Sequence, residues 1–483
     1  MTAQRGCVGE NGEVGHGNPG SSVAAHQDRS DTASRLHKGG LRQRHLTMIA
    51  LGGIIGASLF VGSGAVIQTV GPAAVLSYAL GGLVVIFVMR MLGEMATSKP
   101  SLGSFMEYAR EALGDRAGFV VGWLYWYFWV GVVAFEAVVG GKLLGGWFNA
   151  PDWMFALLLM MLLTATNLLS AKSFGETEFW LASVKVATII VFLTVGVLFV
   201  LGLWPNTSFS VGNIGQGGFV ANGGFSVLQG VVIVIFSYFG AEIVTMAAAE
   251  SKQPAKAVAR ATNTVVWRIL LFYVGSVALL VMITPWREIP STSSPFAAAF
   301  DQFGLPAAEQ VVNVVVLTAA LSVLNSGLYT SSRMLFALSN RGWAPRWVRD
   351  CNTRGVPWKA VLLSTLVGYV AVVMNYVAPD QVFSFIMNSA GAVALFVYII
   401  IALSQLRLRS RMSISERESL GLKMWFHPWL GILVVIGIVV IIFSMGVIES
   451  TRPQLLLSLI SLAVLVVAYS IVRRIRSKTV PRI

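Results

Sequence analysis

LTMIALGGIIGASLFVGSGAVIQ, residues 46–68, is the stretch on which the fold turns. It is apolar and long enough to cross a bilayer, for which about 20 residues suffice. It also carries Gly52, Gly53, Gly56, Gly62 and Gly64, and each glycine costs an ordinary helix about 1 kcal/mol. An opened backbone inside a bilayer must find partners in protein, water or ligand. An interruption near Gly56-Ala57-Ser58 would bare amide N–H groups at mid-membrane. With the positive end of the following half-helix, those amides suit a carboxylate. Close helix packing through small residues accounts for the same glycines.

SVLQGVVIVIFSYFGAEIVTMAAA, residues 226–249, repeats the feature, with Gly240-Ala241-Glu242 near its centre. Two glycine-interrupted spans in corresponding positions are the best sequence pointer to an inverted-repeat transporter. The rest of the chain then reads as scaffold and coupling machinery around that pair.

Composition supports a membrane bundle. The 483 residues are 55% hydrophobic and only 12% charged, which describes a polytopic membrane protein rather than a soluble globule. Twelve apolar spans are expected, at about 46–68, 71–93, 118–145, 153–171, 180–203, 226–249, 266–286, 308–335, 358–378, 382–404, 428–448 and 454–473. Residues 1–40 lack apolar periodicity and are expected to be a disordered cytoplasmic tail. No apolar h-region occurs before Leu46, so no secretory signal is expected. The transmembrane domain is then 41–474, and 475–483 a short basic cytoplasmic C-terminus.

The net charge of +13 would suit nucleic acid, but its placement points to a membrane surface instead. With the N-terminus inside, all but four of the 35 Lys and Arg fall on the cytoplasmic side. Lys142, Arg287 and Arg452 fall outside, and Lys185 lies within a span. This positive-inside bias puts both termini in the cytoplasm and leaves no nucleic-acid patch. MATSKPSLGSFMEYAREALGDRAG, residues 95–118, has an apolar phase around Phe105, Tyr108 and Leu113 and is expected to form a short interfacial helix. Cys7 and Cys351 build no disulfide framework, and the five histidines lie outside the spans or at their margins, so no buried metal site is expected.

Ionisable groups within spans cost about 2.5–3.5 kcal/mol each on insertion scales and suggest function by default. Three stand out. Glu136 shares a helix face with Trp129, Val133 and Gly140; it would pair with a substrate ammonium or carry a proton, or else make an interhelical hydrogen bond. Lys185 would act as a tethered cation beside bared carbonyls, or snorkel to an interface. Glu242 would gate, bridge the broken helices or cap exposed amides. Ser322, Asn325, Ser326 and Thr330 in the eighth span, and Asn388 and Ser389 in the tenth, are placed inward, as substrate contacts or packing glue. Phe236 and Tyr238 would wall a pocket or simply pack.

Several segments resemble one family: IGASLFVGSG (55–64), GPAAVLSYALGG and MRMLGEMATSKP within 71–100, GWLYWYFWV (122–130), TNLLSAKSFGETEFWLASVKV (166–186), FGAEIVTMAAAESKQP (239–254), RATNTVVWRILLFY (260–273), LNSGLYTSSRML (324–335) and SQLRLR (404–409). The chain is similar over about 35–475 to the amino acid permeases of the amino acid–polyamine–organocation superfamily, most of all to the bacterial GABA (4-aminobutyrate) permease group. The resemblance implies an all-α fold of twelve transmembrane helices. Helices 1–5 and 6–10 would form a LeuT-like 5+5 inverted repeat with discontinuous helices 1 and 6, followed by helices 11 and 12. It implies import of a small zwitterion, GABA or a close analogue, across the bacterial cytoplasmic membrane by proton symport, with no cofactor and no enzymatic activity. Gly56, Ala57 and Ser58 would hold the carboxylate. Helix 6 around Phe236, Tyr238, Gly240 and Ala241 would face the amine end, with Glu136 in a binding or coupling role. Lys185 matches the position where sodium-coupled relatives bind an ion, and so would carry proton coupling. An α-amino acid substrate (proline, aromatic or basic) and a non-transporting sensor are the alternatives. Oligomeric state is left open.

Overall fold

The computed structural model describes residues 41–479 apart from Ile54, Asn206, 208–210, Gln216, Lys252, 290–293, Pro306 and 378–391. Asn388 and Ser389 therefore lie outside the described residues, as do the N-terminal 40. Among the described residues all regular structure is helical. Ten helices among the described residues are long and apolar enough to cross a bilayer, and Trp358–Met374 adds a shorter one. The chain is thus a multi-pass membrane protein.

The first expected span does not run as one helix. Gln43–Gly52 ends at Gly53, and a short helix resumes at Ala57 and runs to Phe60, continued by Gly62–Val70. The sixth is broken likewise, into Gly224–Tyr238 and Ile243–Ala249. Gly240 sits in that second break at φ +113°, where side-chain-bearing residues are strained.

The unbroken helices form the frame. The third span, Asp115–Phe148, packs along the eighth, Ala308–Asn340, and the fifth, Ala171–Val200, lies against the eighth and against Gln43–Gly52. Small residues set the close approach: a Cβ on Gly327 of the eighth span would come within 2.7 Å of Val133 Cγ2 on the third. Outward-facing side chains are apolar, including Leu158 and Leu162 on the fourth span and Val464, Val467 and Ile471 on the last. In water such a surface would aggregate; against lipid it is the expected exterior.

Two boundaries and the setting of one short helix differ from expectation. The seventh span starts at Pro254, well before the expected 266, and runs through a π-turn at Ile269–Gly275 to Ile283. Proline suits a first helical position because its missing N–H is unneeded there. The fifth span begins at Ala171 instead of 180. The amphipathic segment does form a helix, Phe105–Leu113, but its apolar face meets protein: Phe105 and Tyr108 are buried, with Phe105 edge-on to Tyr125 at 4.7 Å. Apolar periodicity identifies a face to be covered and does not distinguish lipid from protein as the cover.

Candidate functional site

The two breaks meet in the middle of the bundle. A Cβ on Gly240 would lie 3.4 Å from the Gly53 carbonyl oxygen and equally close to Trp129 Cη2, in ordinary contact, so the second break lies against the first, and it is the positive φ of Gly240 that favours glycine there. No side chain caps the helix that resumes at Ala57, with Gly56 as its N-cap. The amides of its opening turn therefore point back into the break, as at any uncapped helix start.

Between the breaks lies a cavity of about 20 Å³, lined by Gly53, Gly56, Ser58, Phe128, Trp129, Val132, Glu136, Phe236, Phe239 and Val323. That is room for about one water, so any larger guest requires side chains to move. Glu136 is 5% exposed, and its Oε1 stands 3.4 Å from where a Gly56 Cβ would be. Its Oε2 is buried with no hydrogen-bond partner among the described residues. A buried polar atom left without a partner costs roughly 1–3 kcal/mol.

Of the expected pocket residues, Gly56, Ser58, Glu136 and Phe236 line this cavity. Ala57 and Ala241 sit at the breaks, both buried. Tyr238 points elsewhere: its hydroxyl donates to the Tyr78 carbonyl at 2.9 Å, and its ring packs on Tyr78 and Tyr273.

Lys185 is fully buried, which removes the snorkelling alternative. Its Nζ donates to the Ile55 carbonyl at 2.6 Å, inside the first break, and to Ser322 Oγ at 2.8 Å. Glu242 caps the second break. Its carboxylate accepts from the Gly240 N–H at 3.1 and 3.2 Å and from the Tyr125 hydroxyl at 3.0 Å. These contacts are those of a cap and a bridge to the third span.

The model of the amino acid permease family matches residues 45–482. The gamma-aminobutyric acid permease of Bacillus subtilis (strain 168) is 49% identical over 90% of this chain and 93% of its own length.

The chain belongs to the amino acid permease family.

The gamma-aminobutyric acid permease of Escherichia coli (strain K12) is 44% identical over 89% of this chain and 92% of its own. An aromatic amino acid transport protein of Corynebacterium glutamicum is 40% identical over 82% and 87% respectively. These relatives are named as transporters, and the permease has no enzymatic role.

Two of the buried charged groups that the sequence reading passed over lie on the fifth and seventh spans. Glu178 is fully buried on the fifth span, and its Oε1 accepts from Ser322 Oγ at 2.5 Å. The signal was there: Glu178 precedes Lys185 by seven residues, which puts both on one helix face. Arg268 was counted with the cytoplasmic charges, yet it is 2% exposed, and its Nε and Nη2 find no hydrogen-bond partner among the described residues.

Proposed function

We propose that this permease is a secondary active transporter that imports GABA, or a closely related amino acid, by proton symport. The observation that carries the mechanism is Lys185 Nζ held 2.6 Å from the Ile55 carbonyl within the first break. A charged ammonium there occupies the place of a coupling cation and braces the open backbone; loss of its proton weakens that brace. Charge-assisted hydrogen bonds are about twice as strong as neutral ones, so protonation biases the conformation of the break.

The substrate carboxylate would meet the amides of Gly56, Ala57 and Ser58, where the helix start supplies partial positive charge. The ammonium would meet Glu136 or the helix carbonyls around Phe236, Gly240 and Ala241; Tyr238 would support that wall from behind. Support for GABA comes from the relatives at 49% and 44% identity that carry that name. An α-amino acid is the second reading, favoured by the aromatic amino acid transport protein at 40% identity.

The two breaks, five spans apart, are consistent with a LeuT-like inverted repeat of twelve helices within 41–474. In that fold, helices 1, 2, 6 and 7 would rock against the rest. We place the protein in a bacterial cytoplasmic membrane, the tail 1–40 and residues 475–483 inside, with no cofactor. Uptake of labelled GABA into proteoliposomes, with and without an inward proton gradient, tests the reading. Gradient-driven accumulation is expected. Gradient-independent uptake would replace symport by exchange or facilitated diffusion. Transport of an α-amino acid alone would move the substrate to the second reading.

A further inference from the structure

Lys185 needs somewhere to send its proton, and the structure offers one acceptor in line. Ser322, from the eighth span, sits between the two ionisable groups of the fifth. Its Oγ accepts from Lys185 Nζ at 2.8 Å and donates its own proton to Glu178 Oε1 at 2.5 Å. The donors and acceptors thus run in one direction from ammonium to carboxylate.

Glu178 is built as a fixed acceptor. Its other oxygen accepts from Asn325 Nδ2 at 3.2 Å, and Asn325 Oδ1 in turn accepts from Asn167 Nδ2 on the fourth span at 3.0 Å. Three helices hold the carboxylate, and none of these contacts involves the cavity between the breaks. The charged groups that face Lys185 are Glu178 from its own helix, Glu136 from the third span and Arg268 from the seventh. The groups that face Glu178 are Lys185, Ser322, Asn325 and Ser326. Of the two acids around Lys185, only Glu178 is joined to it through a hydrogen-bonded hydroxyl.

We propose that Glu178 is the acceptor of the coupling proton and Ser322 its relay. This rests on the proton-symport reading. In the step, an N–H bond of Lys185 breaks and Ser322 Oγ takes that proton. The former Ser322 proton passes to Glu178 Oε1. The amine and the acid end neutral, the hydroxyl is regenerated, and the pair keeps its net charge. No uncompensated charge is left in the interior, where one would be very costly. The neutral amine then loosens its hold on Ile55. Gln43–Gly52 covers this face of the fifth span: a Cβ on Gly52 would touch Lys185 Cε at 3.2 Å, and one on Gly175 would strike the His45 ring. When that half-helix swings away, water reaches Glu178 from the side that the proposed topology puts in the cytoplasm, and the proton leaves.

The test uses the full chain in proteoliposomes with two readouts: proton-gradient-driven accumulation of labelled GABA, and GABA–GABA counterflow, which needs no net proton transfer. The wild type is the first arm. If it shows no gradient-driven accumulation while counterflow persists, the symport reading falls and the relay falls with it. With wild-type accumulation in hand, Glu178→Gln is expected to keep counterflow and to lose accumulation by about 100-fold, the scale of a lost acid–base group. Ser322→Ala is expected to do the same, and Ser322→Thr, which keeps the hydroxyl, to restore accumulation. Equal loss of both readouts in a folded Glu178→Gln protein would mean a structural role only. Undiminished accumulation would overturn the relay outright. If Glu178→Gln does not fold, the Ala and Thr pair at Ser322 decides, because equal behaviour of the two removes the hydroxyl from the path.

Discussion

Arg333 belongs to the eighth span and Lys185 reaches it from the fifth, yet their partners are arranged in opposite ways. Arg333 Nε meets Glu250 Oε1 directly at 3.1 Å, with the two side chains 2% and 1% exposed, and the guanidinium lies over the Tyr329 ring at 4.0 Å. Lys185 reaches Glu178 only through the Ser322 hydroxyl, and Glu136 nearby keeps an unpartnered carboxylate oxygen. The first arrangement is saturated: moving either charge leaves the other unpaired in the interior. The second has a proton path and a spare acceptor, so its charges can change place without being stranded. A direct pair locks; a bridged set can switch.

The comparison breaks most visibly if one acid-to-amide change is made at both places. Glu250→Gln strands the Arg333 charge and is expected to cost about 3–5 kcal/mol of stability, read as a large drop in melting temperature in detergent. Glu178→Gln should lower that temperature less, since Lys185 can give up its charge where the Arg333 guanidinium cannot, and its main cost falls on coupling. Gly240→Ala comes next: a side chain at φ +113° is strained by about 1–3 kcal/mol. Both thermal stability and uptake should fall. Glu136→Gln sharpens the contrast in the other direction. Because Glu136 Oε2 has no hydrogen bond to lose, the variant should fold normally while its KM for GABA rises by about tenfold, a change of about 1.4 kcal/mol. The smallest effect is expected at Tyr238→Phe. Loss of the bond to the Tyr78 carbonyl costs about 1 kcal/mol of stability, and KM should stay within twofold because the ring faces away from the cavity.

Glycine placement made the two breaks legible in the sequence: Gly53, Gly56 and Gly240 alone would also suit close helix packing, but two glycine-interrupted spans in corresponding positions point to broken helices. Lys185 and Glu136 were legible for a similar reason, as charges where charges are expensive. Glu178 was not, because the expected fifth span began at 180, and apolar periodicity sets helix ends only to within a few residues. Arg268 was missed for another reason: it stands two residues inside the expected span 266–286 and was counted with the cytoplasmic charges before it, although Pro254 marked the true start of its helix. The aromatic wall of Phe128, Trp129 and Phe239 was hidden by its chemistry: a buried aromatic in a run such as GWLYWYFWV reads as packing until a cavity is seen beside it. The direction of Tyr238 is fixed by its partners on the second and seventh spans, and no local pattern could reveal it.

The most direct test of the account is made on Lys185→Ala in proteoliposomes, by following labelled GABA under an inward proton gradient with counterflow as the control. If Lys185 couples the proton to the first break, counterflow persists and gradient-driven accumulation is lost. A Lys185→Ala protein that still concentrates GABA as the wild type does would contradict it.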